Sequence, residues 1–261
     1  AGIVSLAVIG SRLLGLVREV VFVALFGACK YWDAFLAAFQ IPNLLRDLFA
    51  EGALSTAFTT TFTQTYEKEG ADSAWRQARL VLSAILVLGG AVCLAGILAS
   101  PWIVALTSPG FHAVAGKFEL TIRLTRILFP FILFLSLASV VMGILNARFI
   151  FGWPAAASIF FNGVSIVAGV GLAFVFEPQS SLVRPDFGER GLMGVSVGVL
   201  LGGLVQLAVQ LPPLWRTGFR WRWTFNLNDA QLKQIWRLMV PSVVAGAAVQ
   251  VHVLVNGIFA S

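Results

Sequence analysis

The most informative part of the sequence runs from Ser11 to Phe58 and reads SRLLGLVREVVFVALFGACKYWDAFLAAFQIPNLLRDLFAEGALSTAF. It is apolar enough for two membrane-spanning helices, yet charged residues recur along it. These charged residues are Arg12, Arg18, Glu19, Asp33, Arg46, Asp47 and Glu51. A charge at membrane depth is costly, so it usually faces the protein interior or a water-filled cavity. The stretch therefore predicts helices that each have a lipid-facing side and a polar side.

The first helix of this stretch separates its polar residues from its apolar ones. At about 100° per residue, the polar positions and one glycine fall within an arc of about 120°. These positions are Ser11, Arg12, Gly15, Arg18 and Glu19. The opposite side is aliphatic and comprises Leu13, Leu14, Leu16, Val17, Val20 and Val21. We therefore expect one face of this helix to contact lipid and the other to line a polar space.

The second helix repeats this arrangement. Its polar residues share an arc of about 140° on the helical wheel. They are Asp33, Gln40, Asn43, Arg46, Asp47 and Glu51. Pro42 lies within the same segment, and we expect it to kink the helix because proline removes a backbone donor.

Three arginines on these two polar faces indicate an anion-binding site. The planar guanidinium group binds phosphate oxygens through two parallel hydrogen bonds, and the acidic residues here balance the arginines unevenly. The alternative is internal neutralisation, in which Arg12 pairs with Glu19 and Arg46 pairs with Asp47. We favour the anion site, with Arg12, Arg18 and Arg46 as its cationic groups.

The runs SRLLGLVRE at residues 11–19 and DAFLAAFQIPNLLRDLFAEGALSTAF at residues 33–58 resemble the N-terminal signature of the MurJ (MviN) family. Members of that family are lipid II flippases of the multidrug/oligosaccharidyl-lipid/polysaccharide exporter superfamily. The resemblance implies a peptidoglycan-precursor flippase of the bacterial inner membrane that works by alternating access. It also implies a central cavity that holds the pyrophosphate. The matching cavity residues are Arg12, Arg18, Asp33, Asn43, Arg46 and Glu51.

The composition independently indicates an integral membrane protein. Of the 261 residues, 58% are hydrophobic and only 11% are charged, whereas soluble domains carry roughly 25% charged residues. A net charge of +6 would suggest nucleic-acid binding in a soluble chain. In a membrane protein the same excess is typical of cytoplasmic loops that face anionic lipids. We therefore expect membrane lipids, and no nucleic acid, as partners.

The distribution of apolar residues predicts an all-α, polytopic helix bundle with seven spans of roughly 20 residues or more. The predicted spans are Ile3–Ala28, Trp32–Tyr66, Leu80–Ala99, Phe118–Asn146, Trp153–Phe176, Gly191–Trp215 and Ile235–Ala260. The second is too long for one perpendicular crossing. A kink at Pro42, a break near Gly52 or an extension beyond the bilayer would accommodate its length.

The loops between these spans differ in charge, which predicts the orientation of the chain. One side carries Lys68, Arg76, Arg79, Arg148, Arg216, Arg220, Arg222, Lys233 and Arg237. The other side carries Lys30, Lys117, Arg184 and Arg190. Because positively charged loops favour the cytoplasm, we expect the N-terminus and the first group of loops to be cytoplasmic.

The connector WRTGFRWRWTFNLND, residues 215–229, interleaves basic and aromatic residues. This composition is typical of a segment at the lipid surface. We expect residues 1–228 to form the N-terminal transmembrane lobe of six helices with its connector. Residues 229–261 would then hold the first helix of a second, truncated lobe, so that the chain is an N-terminal-lobe fragment of a two-lobe transporter.

Catalytic motifs are absent from the sequence, which favours a transporter over an enzyme. The chain has two histidines, no phosphate-binding Walker loop and no acidic cluster beyond the first two helices, so we expect no metal and no cofactor. The energy source would be an ion, voltage or substrate gradient, with monovalent-ion coupling through the second lobe. The alternatives are a polysaccharide-lipid flippase or drug exporter of the same superfamily. From another class, an undecaprenyl-phosphate-processing enzyme would use the same arginines to hold phosphate.

Overall fold

The chain folds as a bundle of helices. A computed structural model describes residues 2–27, 29–45, 54–180, 187–226 and 228–241, and these residues form no strand. The helices are α1 (Gly2–Phe26), α2 (Lys30–Leu45), α3 (Leu54–Glu69), α4 (Ala71–Thr107), α5 (Lys117–Leu128), α6 (Pro130–Ala147), α7 (Gly152–Phe176), α8 (Glu189–Ala208), α9 (Leu211–Arg216) and α10 (residues 230–241). A short 3-10 helix, Pro109–Ala113, follows α4. The prediction of an all-α membrane bundle is confirmed.

Four helical segments within the described residues are long and apolar enough to cross a membrane. They are Ala71–Thr107, Lys117–Ala147, Gly152–Phe176 and Glu189–Arg216. The helix α1 is 25 residues long, but any stretch of 18 residues within it includes Arg12, Arg18 and Glu19. These charges distinguish α1 from the other long helices and identify it as the helix with a polar face.

The predicted second span consists of two helices. The first, α2, ends at Leu45 and contains Pro42 near its end, and α3 begins at Leu54. Residues 46–53 lie outside the described residues. They include the predicted site residues Arg46 and Glu51, and also Asp47, the alternative partner of Arg46. Most of the predicted seventh span also lies outside, because description ends at residue 241.

The third span is much longer than the sequence pattern predicted. A helix was expected over Leu80–Ala99, whereas α4 runs from Ala71 to Thr107. Its first turns were expected to belong to a mixed-charge loop, but Trp75 packs there against the ring of Phe62 at 5.6 Å between centroids. Such tertiary packing stabilises helical turns beyond the apolar part of the helix. The polarity of the local sequence does not predict these additional turns.

The closest helix packing joins α7 and α8. Gly194, Gly198 and Gly202 recur every four residues along α8 and therefore share one face of that helix. A Cβ atom added at Gly198 would overlap the backbone of Gly169 on α7, and one at Gly194 would lie 2.6 Å from the backbone nitrogen of Ala173. Small residues let helix backbones approach closely in a membrane, where lipid provides no hydrophobic drive for association.

The two ends of the bundle gather different loops. At one end Arg76 pairs with Asp229 at 2.6 Å, and the guanidinium carbon of Arg148 lies 4.6 Å from the ring centre of Tyr66. At the other end Lys117 pairs with Asp33 at 3.1 Å. The loops that the sequence placed on the basic side therefore lie together at one end.

The connector after α9 has no regular secondary structure in residues 219–226 and lies against α4. The backbone N–H of Thr224 donates to the hydroxyl of Ser83 at 3.3 Å, while Trp221 and Trp223 are exposed. The helix α10 buries Leu232 in the same apolar cluster as residues of α3, α4 and α6. The proposed lobe boundary between residues 228 and 229 stays a prediction.

Candidate functional site

Part of the polar face of α1 packs against α7. Asn162 of α7 donates its side-chain amide to the backbone oxygen of Ser11 at 3.1 Å, and also to the oxygen of Ser158 at 3.1 Å. Gly15 lies one turn further along α1, where an added Cβ would stand 3.6 Å from the same amide nitrogen. Ser11 and Gly15 therefore face α7, and the amide of Asn162 joins the two helices.

Arg18 continues this face and is mostly buried. Its side chain is 15% exposed, and one of its terminal nitrogens lies 3.7 Å from a carboxylate oxygen of Glu19, which is 69% exposed. The guanidinium carbon lies 5.3 Å from the ring centre of Phe161 on α7, a cation–π contact. The neutralisation hypothesis paired Glu19 with Arg12, but the ion pair that the structure shows for Glu19 is with Arg18. Arg12 lies seven residues, or about 10 Å, from Glu19 along the helix, whereas Arg18 lies next to Glu19 in the chain.

Arg12 differs from Arg18 because it is exposed and opens onto a cavity. The cavity has a volume of about 570 Å³ and lies between α1, the end of α6 and the start of α7. It is lined by Val8, Ser11, Arg12, Met142, Asn146, Phe151, Pro154, Ala155 and Ser158.

Ligand sites typically measure about 300–1,000 Å³ and combine apolar walls with a few polar groups. One guanidinium among amide and hydroxyl groups gives this cavity the chemistry of an anion site.

A second, smaller pocket adjoins this cavity and extends toward α8. Its volume is about 200 Å³. It shares Met142, Pro154 and Ser158 with the first cavity. Gln206 of α8 and Gln210, which directly precedes α9, also line it. Within the described residues no three His, Cys, Asp or Glu side chains come together as metal ligands would.

The remaining predicted site residues lie elsewhere or outside the description. Asp33 lies in the first turn of α2 and pairs with Lys117. Asn43 is partly buried near the other end of α2, ten residues or about 15 Å along the helix from Asp33. Packing separates the two polar helices, because α1 packs chiefly on α7 and α2 chiefly on α5. Arg46 and Glu51 fall in the segment that the structure does not describe.

Several polar residues of the site were missed in the sequence. Asn146, Ser158, Asn162, Gln206 and Gln210 line the cavities or hold α1 in place. A signal for them exists, because Ser158 and Asn162 are four residues apart, as are Gln206 and Gln210. Polar residues at this spacing share one face of a helix. The uncharged amides and hydroxyls stood out less in the apolar spans than the arginines did.

Comparison with known proteins assigns the chain to a family. The family model described as "Lipid II flippase MurJ" matches residues 22–261. The lipid II flippase MurJ of Burkholderia cenocepacia is 34% identical over 256 residues, which cover 96% of this chain and 47% of that protein. A probable lipid II flippase MurJ of Bdellovibrio bacteriovorus is 37% identical over 254 residues, which cover 96% of this chain and 46% of that protein. The chain thus spans about half the length of these relatives.

Solved structures of the same fold agree with this result. A lipid II flippase MurJ in an inward closed conformation superposes with a TM-score of 0.73 at 24% identity, covering 94% of this chain and 48% of that one. An outward-facing multidrug resistance MATE family transporter of the MOP superfamily superposes with a TM-score of 0.69 at 17% identity, covering 95% of this chain and 53% of that one. These likenesses show the fold alone. Because the family model spans almost the whole sequence, the chain belongs to the lipid II flippase MurJ family.

Proposed function

We propose that this chain is the N-terminal lobe of a lipid II flippase, and that the cavity at Arg12 receives the pyrophosphate of the substrate. The observation that carries the proposal is the exposed guanidinium of Arg12 in a cavity of about 570 Å³ within a chain of this family. A pyrophosphate loses hydration when it enters the membrane region, so it needs cationic partners there. A guanidinium supplies charge and paired donors together.

The surroundings of Arg12 suit a lipid-linked anion. The side of α1 away from α7 exposes Leu13, Leu16 and Val20, so a polyprenyl tail can stay in the bilayer while its headgroup enters the bundle. Arg18 lies about 9 Å further along the helix and adds a second positive charge. Ser11, Glu19, Asp33, Asn43, Arg46 and Glu51 remain proposed members of the binding region.

The transport cycle that we propose is alternating access. The lobe formed by this chain would rock against a second lobe, with the substrate bound at the interface between them. Any coupling to a monovalent ion is expected to lie in that second lobe.

The alternative functions fit the cavity less well. An exporter of cationic drugs needs acidic side chains around its substrate, whereas among the described residues that line this cavity the charged one is Arg12. A polysaccharide-lipid flippase would use the same anion chemistry and differs only in the sugar. An undecaprenyl-phosphate-processing enzyme would cleave a phosphate bond, which is contrary to a family described as flippases.

A binding and complementation experiment tests this function. The full-length protein that contains this chain is expected to bind lipid II in native mass spectrometry, and to restore growth of a strain depleted of its own flippase. Phosphate release should stay at the level of protein-free membranes. Failure to bind and to restore growth would reject the flippase, and steady phosphate release would support the enzyme instead.

Membrane orientation is a separate part of the proposal. The apolar helices and the family support a multi-pass protein of the bacterial inner membrane. The excess of basic residues at one end, among them Arg148, Arg216 and Arg220, favours a cytoplasmic position for that end and for the N-terminus.

Single-cysteine labelling checks this orientation. With Cys29 and Cys93 replaced, Arg220→Cys is expected to resist an impermeant thiol reagent in cells with an intact inner membrane and to react after permeabilisation. Arg190→Cys is the matched control. Arg190 lies in the first turn of α8, at the end of the bundle opposite to Arg220, so this variant should react without permeabilisation. The reverse pattern would invert the proposed topology.

A further inference from the structure

The smaller pocket beside the Arg12 cavity is lined by uncharged side chains among the residues that the structure describes. Its lining residues are Leu135, Ala138, Ser139, Met142, Pro154, Ser158, Gln206 and Gln210. Its volume of about 200 Å³ exceeds the ~30 Å³ that one water molecule occupies in the liquid. The pocket can therefore hold several waters or one sizeable group of a ligand.

Gln210 leaves a hydrogen-bond acceptor unused in this pocket. The residue is 2% exposed, and its Nε2 donates to the backbone oxygen of Gln206 at 2.9 Å. Its Oε1 is buried and has no hydrogen-bond partner among the described residues. A buried acceptor without a partner costs free energy. A hydrogen-bond donor on a ligand that enters the pocket could therefore bond to this oxygen without displacing an existing partner.

The pocket adjoins the Arg12 cavity. Met142, Pro154 and Ser158 line both spaces. A group attached to a phosphate at Arg12 is therefore close to the pocket and would pass these shared residues to reach Gln210.

We infer that the pocket around Gln210 is a subsite for the sugar of the lipid-linked substrate, an inference that rests on the proposed function. A sugar ring carries hydroxyl and acetamido donors together with apolar C–H faces. The pocket offers amide and hydroxyl groups beside apolar walls such as Leu135 and Met142. A charged group is disfavoured because none of the described lining residues carries a charge to offset its loss of hydration.

The test replaces Gln210 with methionine, which keeps the length of the side chain and removes its amide, including the unused acceptor and the donor to Gln206. In the full-length protein, Gln210→Met is expected to weaken binding of lipid II about three- to tenfold, the loss of one uncharged hydrogen bond. Binding of undecaprenyl pyrophosphate, which has no sugar, should be unchanged. A peptide-free lipid that bears the sugars should show the same loss as lipid II. Native mass spectrometry of detergent-purified protein measures all three ligands.

Gln77→Met is the matched control, because Gln77 is another fully buried glutamine whose side-chain amide has no partner among the described residues. It lines neither cavity, so its variant should bind all three lipids as the unmodified protein does. Gln206→Met is the second variant and tests the same pocket if Gln210→Met accumulates poorly.

Two results would overturn the sugar subsite. Unchanged lipid II binding by both Gln210→Met and Gln206→Met would mean that the pocket holds water only. A loss seen with lipid II but not with the peptide-free lipid would assign the pocket to the peptide. Arg12→Ala separates this inference from the proposed function, because normal binding of undecaprenyl pyrophosphate by that variant would contradict the phosphate site itself.

Discussion

Replacing Arg12 with alanine is expected to abolish lipid II translocation while leaving the abundance of the protein unchanged. The side chain is exposed to the cavity, so its removal leaves no void in the core. A charge-assisted contact contributes roughly 1.5–3 kcal/mol, which corresponds to about a tenfold to hundredfold loss of affinity. Arg12→Lys should restore binding only in part, because lysine supplies the charge without the planar fork. Lipid II binding, complementation and quantitative immunoblotting together measure the effect.

Two other arginines provide the comparison for this variant. Arg222 is exposed on the connector, and Arg222→Ala should bind lipid II normally. Arg18 packs over Phe161, so Arg18→Ala should lower thermal stability as well as binding. Normal binding and normal growth with Arg12→Ala would reject the cavity as the phosphate site.

Replacing Gly198 with leucine is expected to prevent α7 and α8 from packing and to eliminate most of the folded protein. Even a Cβ atom at this position would overlap the backbone of Gly169. Overpacking a core costs about 1–3 kcal/mol when side chains can move aside. Here the obstacle is backbone, so we expect at least the upper end of that range, a large part of the ~5–15 kcal/mol that stabilises a typical protein. Thermal unfolding monitored by size-exclusion chromatography in detergent measures the loss.

Gly171 offers a matched control on the same helix pair. It is an exposed glycine of α7, and nothing lies within 4 Å of an added Cβ. Gly171→Leu should therefore fold and migrate as a single peak. Equal stability of the Gly198 and Gly171 variants would show that the close approach of α7 and α8 is dispensable.

Helix class and helix faces could be predicted from the sequence because both depend on local rules. The aliphatic side of α1 was predicted from its period, and Leu13, Leu16, Val17 and Val20 are exposed as a lipid-facing surface requires. The other two predicted residues differ, because Leu14 is only partly exposed and Val21 packs against the buried core. Gly194, Gly198 and Gly202 of α8 also recur every four residues. The turn of the helix places such residues on one side whatever the rest of the chain does.

The boundaries of α4 were predicted less well, because contacts with distant residues determine them. The residues before Leu80 have a mixed polarity that is typical of a loop. They form a helix whose Ala74 and Ala78 are fully buried in the bundle. Tertiary burial outweighed the weak local preference, as it commonly does at helix ends.

By itself, the sequence determined that this is a membrane bundle whose first helix carries charge on one face, because charge at membrane depth and helical period are properties of the local chain. Only the tertiary structure decided what each polar residue meets. It buries Arg18 against Phe161 and exposes Arg12 to a cavity, although both belong to the same predicted face. It also brings Gln210, from the turn between α8 and α9, beside that cavity. Helix pairing in lipid depends on shape and on specific hydrogen bonds between distant segments, and neither is encoded in the period of a single helix.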